Sequence, residues 1–447
     1  MGGTLYLIGL TALSIGALLG LVLKARLPAF IALLAVSIGF GLLAGQTPSD
    51  VIASVQSGMG GTLGFVAVVV GLGAMMGAML EGAGGVDAIS ERLLARFGEG
   101  RAGPALGMIG FLVAIPVFFD VAFIILMPVL LGLQDRTGRG VLAFALPLLA
   151  GLAVTHAFIP PTPGPIAVAE ILGADLGYVI LFGALAGLPA MLVAGPWLAG
   201  IVMRRPDLAA HRAPDPGSAT PTPDRPIGFA AAMSVILLPL ALILGATLSR
   251  GLGWTGPLAG TLQFVGHPFV ALLIACLHAW LAFAVLRGMD RRVVHDSLLR
   301  ALEPAGLVVL VTGAGGVFKQ ILVDSGAGAA LAGALDAAAL PVIVFAFVVA
   351  LIVRVAQGSA TVAMITAAGL SAPVATTLGV SGPDLALLVV AIASGASMLS
   401  HVNDSGFWLV SRYLGLSEAQ TLRSWTVSTT LIGLVGFSVA AGLSLVV

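Results

Sequence analysis

Apolar windows of about 20 residues recur near 4–23, 27–45, 62–82, 140–172, 177–203, 228–248, 262–286, 304–323, 384–411 and 425–446. Each is long enough to cross a bilayer as a helix. Two further windows, about 103–134 and 338–372, are long but interrupted, the first by Pro116, Asp120 and Pro128, the second by Arg354, Gln357 and Gly358. Apolarity leaves open whether these two span the bilayer or enter and leave on one side as re-entrant hairpins. Charge decides. With both as hairpins, the segments 24–26, 87–102, 135–139, 204–227, 287–303 and 412–424 share one side and hold every Lys and Arg except Arg250, Lys319 and Arg354. Basic loops stay cytoplasmic, and a single crossing by either window would reverse all later loops and erase the asymmetry. The expectation is ten crossings, two hairpins, and both termini on the outer side. Thr47 to Met59, Asp175, Arg250 and Asp324 then fall in outer loops. Residues 204–227, with Pro206, Pro214, Pro216, Pro221 and Pro223, read as a cytoplasmic linker between halves 1–203 and 228–447.

Polar positions inside these windows point to a site. Ser397-Met398-Leu399-Ser400-His401-Val402-Asn403-Asp404-Ser405 sits within the window 384–411. An ionisable side chain at bilayer depth costs about 2.5–3.5 kcal/mol on insertion scales, and irregular backbone there survives only against protein or a wet cavity. The other reading is an aqueous loop that cuts an ordinary span short.

The two halves also resemble each other at an offset of 242. Gly71-Leu72-Gly73 matches Gly313-Ala314-Gly315, Met79-Leu80 matches Ile321-Leu322, and Leu172-Gly173 matches Leu414-Gly415; Val121-Ala122 pairs with Val362-Ala363 at 241. The window 62–82 runs inward and its partner 304–323 outward, so the repeat is expected to be inverted, an architecture that places a midplane site at broken helices. Under the offset, Thr162 overlays Asp404 and Gly164 overlays Gly406. Pro160, Pro161, Pro163 and Pro165 cannot occupy an unbroken helix. Both long spans, 140–172 and 384–411, should therefore be broken at equivalent places. The fold expected is an all-α polytopic membrane protein, an inverted-topology repeat with two re-entrant hairpins and two broken helices.

Composition narrows the class. The 447 residues are 59% hydrophobic and 9% charged, with a mean hydropathy of +1.12; a soluble domain carries about 25% charged residues. The 60 glycines and 25 prolines suit close helix packing and helix breaks. A formal net charge of zero implies no nucleic-acid partner. The single cysteine, Cys276, leaves no disulfide and no cysteine metal site. No His-Glu-x-x-His and no Gly-rich loop ending in Lys-Ser/Thr occurs, so neither zinc proteolysis nor ATP is indicated, and no metal or cofactor is expected. Leu5 to Leu23 lacks a basic leader and reads as an uncleaved span.

Three motifs then carry a resemblance: Phe118-Phe119-Asp120-Val121-Ala122-Phe123, His156-Ala157-Phe158-Ile159-Pro160-Pro161-Thr162-Pro163-Gly164-Pro165 and Ser400-His401-Val402-Asn403-Asp404-Ser405-Gly406-Phe407-Trp408. In this order they resemble the GntP family of gluconate permeases. The resemblance implies a transporter of the bacterial inner membrane, a proton-coupled symporter for gluconate or a related hydroxy acid, with no enzymatic activity. It implies kinship with a superfamily of elevator transporters, and a homodimer. The family also holds carriers of D-serine and other sugar acids. Sodium in place of protons, a passive channel, and a membrane-embedded enzyme using His156 and His401 are the alternatives.

A sugar acid needs an anion-binding locus and several hydroxyl partners. Gln357, Ser359 and Thr361 at one hairpin tip, and Thr162, Asn403 and Ser405 at the breaks, are expected to contact substrate; the alternative for each is a local cap of a broken helix end. Arg354 is expected to pair with the substrate carboxylate or with Asp120, or structurally with Asp384 or another acid of the carboxyl-rich interior. Coupling needs titratable groups, and Asp120, Asp404 and one of His156 and His401 form the expected proton relay. Lys319 reads as snorkelling or neutralising a buried acid.

Overall fold

A computed structural model describes residues 2–214, 227–285 and 291–447. Pro216, Pro221 and Pro223 of the linker, and the basic residues Arg225 and Arg287, lie outside the described residues. Among those described, the structure is helical with no strand. The first half contains α1 (Gly2–Leu23), α2 (Ala29–Leu43), α3 (Pro48–Gly82), α4 (Gly85–Phe97), α5 (Ala102–Val113), α6 (Phe119–Thr137), α7 (Leu142–Phe158), α8 (Pro163–Leu172) and α9 (Leu176–Leu192), which continues through a π-turn into α10 (Leu198–Val202). The short α11 (Pro206–Ala209) begins the linker. The second half contains α12 (Phe229–Gly251), α13 (Pro257–Val265), α14 (Pro268–Ala279), α15 (Arg291–Asp324), α16 (Ala327–Ala337), α17 (Val342–Gln357), α18 (Ala360–Thr377), α19 (Pro383–Ser397), α20 (Ser405–Leu414) and α21 (Glu418–Leu443). By length and composition, eight helical segments among the described residues suffice to cross a membrane, ten if two bent pairs are counted as one span each.

Several elements differ from the apolar pattern. α3 starts at Pro48, not near 62, so Pro48 to Met59 is helix and not loop. Thr47 and Asp50 cap it reciprocally and Pro48 supplies the first helical residue. Its polar first turns hide it from a hydropathy window, which registers apolarity and not helicity. α15 likewise begins at Arg291. The window 262–286 is two helices bent by 66°, because Pro268 restarts the helix with His267 as its N-cap. The amphipathic α4 and the small-residue helix α16 were not anticipated. Each follows a left-handed glycine, Gly84 (φ 74°) and Gly326 (φ 73°), where a Cβ would be strained.

Those two glycines lie 242 residues apart, and so do the boundaries of α8 and α20 and the starts of α9 and α21. α3 and α15 pack antiparallel along their length. Ser54 Oγ donates to Asp324 Oδ2 at 2.6 Å at one end, Gly58 lies against Gly316, Gly313 against Met59 and Leu63, and Gly71 reaches Leu302 at the other end. Two hairpins, α5–α6 and α17–α18, sit beside the broken pairs α7–α8 and α19–α20. Glycines bring their backbones together: a Cβ on Gly151 would lie 2.1 Å from the Gly107 carbonyl oxygen, and one on Gly395 would lie 2.3 Å from that of Phe347.

Segments placed on one side by their charge meet one another. The backbone N–H of Ala213 donates to Gln134 at 2.9 Å, Arg212 pairs with Asp135 at 2.7 Å, the N–H of Val141 donates to the His211 carbonyl at 3.1 Å, and a His211 ring nitrogen bonds the Leu414 carbonyl at 2.8 Å. The far end of α6 thus shares a face with the end of α20. At the other end, Arg250 pairs with Asp175.

Candidate functional site

The second break is built residue by residue from polar satisfaction. α19 stops where Met398 turns extended (φ −71°, ψ 155°) and Leu399 takes a left-handed conformation (φ 50°), uncommon for a branched side chain. Helix resumes at Ser405, capped by Asp404, whose Oδ1 accepts from the N–H of Gly406 at 3.1 Å. The other carboxylate oxygen accepts from Arg354 Nη2 at 2.5 Å and from the Ser400 hydroxyl. α21 clasps the freed backbone: Trp425 Nε1 donates to Ser400 Oγ at 2.9 Å, the Ser400 N–H donates to Thr429 Oγ1 at 3.2 Å, and Thr426 donates to the Ser400 carbonyl. Arg354 is 4% exposed and Asp404 8%, so this is a buried ion pair with charge-assisted bonds on both partners.

Of the partners open to Arg354, the structure gives neither Asp120 nor Asp384 but an acid of the interior, Asp404. It lies in the last turn of α17, at the tip of the second hairpin, and that tip is tied to the break. Asn403 Nδ2 donates to the carbonyls of Val355 at 2.9 Å and Ala356 at 3.2 Å, and Gly358 (φ 81°) lies flat against the Asn403 backbone. Asn403→Leu should therefore release two carbonyls at the end of α17 and lower stability by about 0.5–1.5 kcal/mol, read as the unfolding of purified protein in detergent.

At the first break, α7 ends at Phe158, the Thr162 hydroxyl donates to the Ile159 carbonyl at 2.6 Å, and Pro163 opens α8. The tip of the first hairpin lies here, with the rings of Phe118 and His156 6.2 Å apart.

The two hairpins and the second break enclose a cavity of about 230 Å³. Of the residues expected to act, Asp120, His156, Arg354, Ser359, Thr361, Asp404 and Ser405 line it. The others lie beside it. Thr162 faces a small neighbouring cavity with Pro116 to Phe118, Gln357 is buried with neither amide atom bonded, Asn403 anchors the hairpin, and the Nδ1 of His401 is buried without a partner. Lys319 lies apart, its ammonium capping the Ile171 carbonyl at the end of α8. Ser397, the first residue of the polar run, also stands in the wall, and sequence reasoning missed Trp425 and Thr429 there. Their signal was the hydroxyl-rich start of α21, where Ser424, Thr426, Ser428, Thr429 and Thr430 crowd a stretch that elsewhere would be apolar.

The wall offers what a small anion requires. Among the described residues, Nε and Nη1 of Arg354 are buried without a protein partner, a deficit of about 1–3 kcal/mol per unmet donor that a bound carboxylate would remove. Hydroxyls of Ser359, Thr361, Ser405 and Thr429 stand nearby, and Trp425 stacks on Phe119 with ring centroids 5.7 Å apart.

Comparison with known proteins gives the family and the fold. The GntP family permease profile matches residues 6–446. The low-affinity gluconate transporter of Escherichia coli (strain K12) is 43% identical over 434 residues, 97% of both chains. A gluconate permease of Pseudomonas aeruginosa is 37% identical over 99% of this chain and 98% of its own. Among solved structures, the Alcanivorax borkumensis YdaH transporter superposes with a TM-score of 0.66 over 93% of this chain and 98% of its own at 17% identity, a likeness of fold. With the profile spanning nearly every residue and the relatives matched end to end, the chain belongs to the GntP family of permeases and is a multi-pass membrane transporter, not an enzyme.

Proposed function

We propose that this permease takes up gluconate or a closely related sugar acid together with protons, by alternating access across the bacterial inner membrane. The observation that carries the reading is Arg354. It is held by Asp404, and its remaining N–H groups are unmet in the wall of a cavity that also holds Asp120, His156 and a set of hydroxyls. Arg354 takes the carboxylate, and Ser359, Thr361 and Ser405 take hydroxyls. Asp120 and His156, on opposite sides of the first hairpin's tip contact, carry the proton with Asp404. The 242-residue correspondence of helix boundaries and the antiparallel pairing of α3 with α15 support an inverted repeat. In that reading the hairpins and broken helices move as a body against α3 and α15, the termini lie outside, and two copies form a dimer.

Proteoliposomes test this. An inward proton gradient should drive accumulation of labelled gluconate without sodium, and Asp120→Asn should abolish that accumulation while leaving gluconate exchange between equal pools. Accumulation that follows sodium and ignores pH would replace the proton, and uptake that never exceeds equilibrium would replace the symporter with a channel.

A further inference from the structure

A second cavity lies on the other side of the first hairpin's tip, with a volume of about 310 Å³, within the size class that holds small ligands. Its walls are the ends of α3 and α15 that lead to the basic loops. Ala74, Gly77, Ala78 and Glu81 form one helix face on α3, and Ser297, Arg300, Ala301 and Pro304 form one on α15. The small residues of α3 make the space. Pro116 to Phe118 form its inner limit, and the tip sits directly on α3, since a Cβ on Gly77 would lie 1.9 Å from the Pro116 carbonyl oxygen. Phe118 and Val121 face this cavity while Phe119 and Asp120 face the central one, so one tip separates the two.

Two charges stand in it and do not pair. The described ion pairs are Arg212–Asp135, Arg250–Asp175, Arg354–Asp404 and Arg423–Asp207. Among the described residues Arg300 donates only through Nε to the Asp296 carbonyl of its own helix, at 3.3 Å, and the Glu81 carboxylate has no hydrogen-bond partner. One cationic fork, one carboxylate and the Ser297 hydroxyl match a polyhydroxy monocarboxylate end to end: the guanidinium binds its carboxylate bidentately, and Glu81 and Ser297 take its hydroxyls.

We propose that this cavity is a second, cytoplasmic-side binding site for the transported sugar acid, with Arg300 as its carboxylate anchor. It rests on the transport reading given above. Substrate released past the first hairpin's tip lands here, and a ligand entering from the cytoplasm binds here before the central site. Mutation should therefore act on one side of the membrane only.

Purified protein oriented in proteoliposomes gives the test, with labelled gluconate as the probe. In Arg300→Gln the internal concentration that half-saturates exchange should rise about tenfold, while the external half-saturation stays within about twofold, and Arg300→Lys should recover part of the loss. Glu81→Gln should raise the internal value as well. An unchanged internal value, or an equal rise on both sides, overturns the proposal. An internal effect that disappears when anionic lipid is left out of the vesicles also overturns it, and gives the site to a lipid phosphate. Wild-type vesicles that take up no aldonate would instead overturn the transport reading beneath it.

Discussion

Arg354→Met is expected to abolish uptake and to lower stability by about 3–5 kcal/mol, the cost of stranding one member of a buried ion pair. The stranded group is Asp404, which keeps the Ser400 hydroxyl and the Gly406 N–H as donors but loses the cation it pairs with. The two effects separate in a double variant. Arg354→Met with Asp404→Asn removes both charges while Asn still caps α20, and should recover most of the stability, while uptake stays at background because no guanidinium remains for the substrate carboxylate. Arg354→Lys keeps a charge but loses the planar fork, and should leave a stable protein with weakened gluconate affinity. Thermal unfolding in detergent reads the first quantity and uptake in proteoliposomes the second. If the double variant transports normally, Arg354 is a structural brace alone.

Gly358→Ala should be nearly as damaging through one methyl group. The backbone there has φ of 81°, and a side chain in the left-handed region costs about 1–2 kcal/mol. The new Cβ would also stand 2.2 Å from the Asn403 carbonyl oxygen, against backbone that cannot swing aside. The clash parts the second hairpin from the second break at the place where Asn403 ties them and Arg354 meets Asp404, so uptake should fall to background. Gly132→Ala in α6 is the matched control, since nothing lies within 4 Å of its Cβ position, and uptake there should be unchanged. A Gly358→Ala protein with full uptake would show that the tie between hairpin and break is dispensable.

Much of this arrangement is legible in the chain. Pro160 to Pro165 forbid a continuous helix by covalent geometry, and the polar run from Ser397 to Asp404 is too costly at bilayer depth to be incidental. The observed breaks fall between Phe158 and Pro163 and between Ser397 and Ser405. Asp120, His156, Thr361 and Asp404, each singled out from its own segment, line one cavity. What was not legible is of two kinds. The length of α3 escaped because its first turns are polar and are stabilised by a capping box and by burial of Ser54 and Gly58 against α15, neither of which hydropathy measures. The role of α21 escaped because Trp425 and Thr429 look like any amphipathic residues at a span's edge until Ser400 is placed beside them.

Costs that attach to single segments were therefore set by the amino-acid order alone: which stretches enter the bilayer, where helices must break, and which polar residues are too expensive to be idle. Pairing was decided only in three dimensions. Along the chain Asp120, Asp384 and Asp404 were all open to Arg354, and its choice of Asp404 follows from Asn403 and Gly358 docking the hairpin on the break. The division between a central cavity and a second one likewise depends on where the tip at Pro116 to Phe118 comes to rest on α3. The physical reason is one of range: desolvation and backbone strain act locally and can be read along the chain, whereas the partner that satisfies a buried charge is fixed by packing between segments far apart in it.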